Sequence, residues 1–215
     1  MSRTVALPYT AVDRQAVHSR ERACWRRIGT ARDEWRAASD ALATAAQTSV
    51  NAAMQALYSA HDAPSELLAT HPPLRRALVT AAAARADDAA RHCAALLAQL
   101  AVAAERLEAA ATELAALPPV AQPRDAPRAA AAALAAAHRR ELASKRAHVR
   151  TLAVRREHID ALRTALTALV LEVHTTRAAL DWAAVLETHL RTPADEAADA
   201  AAVAAAATDG SSATR

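Results

Sequence analysis

The sequence predicts an all-α fold, an elongated bundle of about three long helices with coiled-coil character and a disordered acidic C-terminal tail. Three observations predict it. The 215 residues include 67 alanines, 2 glycines and no phenylalanine, so helix is favoured everywhere and aromatic-rich sheet and tight glycine turns are nearly excluded. Prolines cluster at a few places and leave long proline-free stretches between them. Within those stretches the larger apolar residues return every seven positions, the signature of helices that pack along a seam.

Residues 1–9 read as a flexible N-terminus, acid-free and without an apolar signal core, which leaves a weak mitochondrial-import reading. The span 10–117 reads as two long helices joined by a proline-containing connector at 61–73. Along the first helix Trp25, Ile28, Trp35 and Leu42 hold one stripe, and the phase then slips by one before Val50, Met54 and Leu57. A short helix is expected at 65–70, with Ser65 as its cap behind Pro64. In the second long helix Val79, Ala86, Cys93, Leu100, Leu107 and Leu114 fall every seven residues. Leu96, Ala103, Ala110 and Leu117 supply the companion positions.

Pro118, Pro119, Pro123 and Pro127 mark a linker over 118–127. A third helix is expected over 128–191, with Leu152, Ile159, Leu166 and Val173 on one seam and Leu162 and Leu169 on the other. Unbroken, it would reach about 96 Å, against about 68 Å for the second helix, so it must overhang its neighbours or bend. The polar run Arg155-Arg156-Glu157-His158 and the pair Thr175-Thr176 are the candidate bends. Neither holds a true helix breaker, which favours a continuous or gently curved helix. Residues 194–215 are alanine-rich and acidic with few large side chains, and read as a disordered tail.

No chemistry of catalysis is legible. The two glycines stand alone, too few for a phosphate-cradling loop. No histidine pair has metal-ligand spacing; His138, His148 and His158 turn about 80° from one to the next on an ideal helix. Neighbouring carboxylates such as Asp87 and Asp88 point apart. Cys24 and Cys93 have no redox or metal spacing and read as buried or half-buried thiols. No apolar run is long enough to span a bilayer. The expectation is a protein with no enzymatic activity, no cofactor, no metal and no small-molecule substrate.

What stands out is basic. The chain carries 26 basic residues, and Lys145 is the single lysine among arginines, a bias that a GC-rich coding sequence also produces. From Arg139 to Arg163 eight basic residues face three acids. Such a stripe suits an acidic protein groove, RNA or a ribosome surface, or it is a solvated face with pairs such as Glu141 with Lys145. No aromatic residue interleaves it, which argues against stacking on single-stranded bases.

The segment Leu134–Ala153 resembles the signature helix of the cyclin-dependent kinase 2-interacting protein family. His138 stands in the aromatic place, then come Arg139-Arg140-Glu141-Leu142, two variable residues, Lys145-Arg146, and Leu152-Ala153 at the end. The AAA-ATPase-interacting ribosome maturation factor has a similar helix. The resemblance implies an adaptor, nuclear or both nuclear and cytoplasmic, that pairs with a helical partner as a hetero-oligomer. Through that partner it would join an AAA ATPase in ribosome biogenesis and replication, with a link to cell-cycle kinases. On this reading Arg139, Arg140, Glu141, Leu142, Lys145 and Arg146 bind or orient the partner, and Leu152, Ile159, Leu166 and Val173 offer a seam to it. A structural coiled-coil subunit of a cytoskeletal, flagellar or vesicle-tethering complex is the competing expectation.

Overall fold

The computed structural model describes residues 11–61, 66–118, 125–156, 158–172 and 174–175. These form five helices: α1 (Ala11–His61), α2 (Glu66–Thr70), α3 (Pro72–Ala116), α4 (Asp125–Val154) and α5 (Ile159–Leu171). No strand occurs among the described residues, and the all-α bundle expected from the sequence is what they form. The expected flexible N-terminus, the disordered tail and the helical stretch beyond 175 lie outside the described residues.

Proline sets the starts. Pro72 and Pro73 occupy the first turn of α3, where their missing N–H groups cost nothing. Pro127 sits in the first turn of α4, and Arg128 reaches back to the Pro118 carbonyl at 3.4 Å, tying the two ends of the linker. α1 and α3 run antiparallel as the long spine. Their register shows in the cross-helix pairs Arg27–Glu113, Glu34–Arg106 and Gln55–Arg85. The expected seam of α3 is the buried one: Ala86, Cys93, Leu96, Leu100, Ala103, Leu107, Ala110 and Leu114 are all in the core. On α1, Trp25, Ile28, Trp35, Leu42 and Val50 are buried, so the stripe and its phase slip both face inward.

The third helix departs from expectation. It ends at Val154, and α5 begins at Ile159 after a turn and folds back antiparallel on α4. Contacts of Lys145 with Leu169 and of Glu141 with His174 fix that register. The turn holds no proline or glycine. The Arg155 N–H still donates to the Thr151 carbonyl in the α-helical pattern at 2.9 Å, and the His158 N–H then donates to the Arg155 carbonyl at 3.1 Å. Packing explains the break. Folding back buries Leu162, Ala165 and Leu169 with Trp35, Leu42 and Val50 of α1 and Leu142, Val149 and Leu152 of α4. A straight helix would leave three apolar residues in water, at roughly 0.8 kcal/mol per unburied methylene. The four-residue polar turn loses little.

Two cores result. Between α1, α3 and α4 a three-helix core gathers Trp25, Ile28, Leu107, Leu114 and Leu134. Beyond Trp35 α5 joins, and the bundle has four helices. No described helix is long and apolar enough to cross a membrane.

Candidate functional site

The structure divides the signature segment between inside and outside. α4 turns Leu134, His138, Glu141, Leu142, Lys145, Val149 and Leu152 inward, and leaves Arg139, Arg140, Arg146 and Arg150 exposed. This is the 3–4 spacing of an amphipathic helix, with a lysine and a glutamate on the apolar side.

Lys145 is 0% exposed. Its ammonium donates to the Leu169 carbonyl at 2.9 Å and lies 3.4 Å from Glu172 Oε1 and 3.9 Å from Glu141 Oε1. One carbonyl and two carboxylates thus surround the ammonium. Leu169 belongs to the last turn of α5, where carbonyls lack partners and the helix dipole is negative, so a buried cation caps that end. Glu141 Oε2 accepts the His174 N–H at 2.8 Å, just past the same end. Glu172 closes α5 in the left-handed region, φ 44°, which costs a non-glycine residue about 1–2 kcal/mol. Its carboxylate accepts from Ser39 of α1 and, at 3.2 Å, from Thr175. Burial opposes ionisation of Glu172, but the Ser39 hydrogen bond, Lys145 and Thr175 outweigh it and hold the carboxyl below its ordinary range.

His138 packs in the core. Its ring meets Trp35 edge-on, 4.8 Å between centroids at 79°, and Nδ1–H donates to the Leu134 carbonyl at 2.9 Å. Burial pushes its pKa below the usual histidine value. A cleft of about 200 Å³ opens here, lined by Arg32, Trp35, Arg36, Asp40, His138, Glu172 and Thr175.

These positions divide the expected partner-binding set between the core and the surface. Glu141 and Lys145 are paired as the i,i+4 reading has it, but the pair is buried rather than solvated. With Leu142 it fastens α4 to α5. Leu152 is in the core, Leu166 packs against it half-buried, and Ile159 is half-buried at the start of α5. The seam 152–159–166 is therefore split across a turn and directed into the chain itself; Val173 lies outside the described residues. Arg139 is exposed but pairs with Glu108 of α3 at 3.2 Å. What remains outward is arginine. Among the described residues Arg140, Arg146, Arg150, Arg155 and Arg163 are exposed and make no ion pair.

The structure adds one surface that the heptads did not reveal. Two depressions of about 580 and 460 Å³ adjoin through Ala41, and the residues lining them all belong to α1 and α3. Alanines at 37, 38, 41, 45 and 89 make the floor, with Arg85, Asp88 and His92 at one end and Glu34 and Arg106 at the other. Alanine-for-leucine spacing was the available signal: small side chains pack closely but leave grooves. The two thiols, Cys24 and Cys93, are buried as expected, and burial pushes Cys93 up to about 11. Among the described residues no group of three His, Cys, Asp or Glu side chains is placed to hold a metal.

No family model, no curated protein and no solved structure matches this chain.

Proposed function

We propose that this chain is a non-enzymatic helical adaptor that binds a protein partner through the outward face of α4. One observation carries the reading: the heptad seams of α3, α4 and α5 are spent on the chain's own core, while Arg140, Arg146 and Arg150 of α4 stand exposed and make no ion pair. Exposed cations that satisfy no internal acid are free to meet an external one, where they set orientation and association rate. The competing structural reading, a subunit of a long coiled coil, needs seams open to another chain; the described seams face one another. From the resemblance of residues 134–153 we further propose a nuclear adaptor serving an AAA ATPase assembly in ribosome maturation and replication. In this proposal the inner residues Glu141, Leu142 and Lys145 shape the α4–α5 hairpin, and Arg139, Arg140 and Arg146 face the partner.

The test is gentle co-purification from the native cells with the wild-type chain and with Arg140→Glu/Arg146→Glu/Arg150→Glu. The adaptor reading expects a defined set of proteins with the wild type and their loss from the variant, with circular dichroism unchanged. An unaltered set would remove the α4 face from the account. Cytoskeletal or tethering subunits would replace the adaptor with the structural reading.

A further inference from the structure

Resting on the adaptor reading, we infer that the occupant of the α4 face is an acidic amphipathic helix, and not a nucleic acid. The charge comes first. From residue 129 to 154 the only acid on α4 is Glu141, which is buried with Lys145. Every other charged side chain there is an exposed arginine. Arg146 and Arg150 lie one turn apart on the edge nearer α3, the edge from which Arg139 reaches Glu108. Arg140 projects about 100° round the helix, on the other edge. The face is thus bordered by cations on both sides, as the flanking positions of a helix pair are when its partner is acidic.

Between the two edges the exposed surface is apolar. Ala129, Ala143 and Ala147 are exposed, Ala136 is half-buried, and Val154 ends the row at 75% exposure. The spacings 129–136–143 and 147–154 are heptad steps. The row extends about 38 Å at 1.5 Å per residue, the length of a helix of about 25 residues. Alanine lets a second backbone approach closely, and a helix laid along the row would bury it while its acidic edges met the arginines. A phosphate backbone would neutralise the same arginines and leave the row wet. No aromatic side chain is present on this face to stack on a base.

Two probes separate these cases. One is a fluorescein-labelled synthetic helix of about 25 residues with alanine and leucine in its seam and glutamate along both edges. The other is a labelled RNA duplex. The inference expects the acidic helix to bind, Arg146→Glu/Arg150→Glu to weaken it at least tenfold, and Ala143→Arg/Ala147→Arg to weaken it as well. That last variant adds cations while obstructing the seam, so a phosphate ligand would bind it more tightly. Tighter binding of the acidic helix by Ala143→Arg/Ala147→Arg, preference for the duplex, or no binding of the acidic helix would each overturn the inference. The native co-purification still reports separately on whether α4 binds a partner at all.

Discussion

Three acceptors around one buried ammonium explain why lysine persists at position 145 in a chain that otherwise uses arginine. The site offers a carbonyl at 2.9 Å and two carboxylates at 3.4 and 3.9 Å around a single nitrogen. A compact point charge fits it, and a planar guanidinium does not. Lys145→Arg is therefore expected to destabilise by about 1–3 kcal/mol through overpacking, whereas Arg150→Lys on the surface stays within about 0.5 kcal/mol. Lys145→Ala strands two carboxylates and should cost about 3–5 kcal/mol; denaturant midpoints measure all three. Acid should loosen the same cluster. Glu172 is held below its ordinary 4.5, so its contribution is complete above that pH and is lost as pH falls through its folded value. His138 is lowered from 6.5 by burial, so the folded state binds fewer protons and stability declines as pH falls below about 6.5. Arg32, Arg36, Asp40, Glu141 and Lys145 surround these two groups. Thermal midpoints should show a first decline below pH 6.5 that His138→Phe removes, and a second below 4.5 that Glu172→Gln diminishes. A flat profile from pH 7 to 4 would contradict both assignments. The sequence singled out Lys145 by composition, but nothing local said which way it pointed. Read alone, charge beside charge on a helix suggests a wet face; burial came from partners at 169 and 172, on another helix.

At the scale of elements, α1, α2 and α3 were legible because proline and heptad spacing are local signals. The α3 seam was legible residue by residue, from Ala86 to Leu114. The α4–α5 turn was only half legible. Its place, 155–158, was marked by polarity, yet the absence of glycine or proline favoured continuity. Tertiary packing decided against helix propensity: Leu162 and Leu169 gain a core by folding back that they cannot reach in a straight rod. The seven-residue step from Leu152 to Ile159 therefore bridges two helices, and its regularity misled. The cost of a left-handed Glu172 at the far end of α5 is offset by the Ser39, Thr175 and Lys145 contacts.

For the whole molecule, the mismatch between an expected 96 Å helix and shorter neighbours is resolved by a hairpin. Alanine-rich seams stabilise weakly per residue, so a bundle of this kind gains from every added layer; α5 is such a layer over one half of the spine. The candidate surface was legible only as a basic stretch. Its orientation needed the structure, which sent the lysine and glutamate inward and left arginines and alanines outward. Both the buried lysine and the exposed arginine face depend on α5 lying back along α4. The most direct test places spin labels at Ala143→Cys and Leu171→Cys, with Cys24 and Cys93 replaced by alanine, and measures the distance between them. Antiparallel packed helices have axes about 8–10 Å apart, so the account predicts a separation below about 20 Å. A distance near 42 Å, the length of 28 residues of unbroken helix, would contradict it.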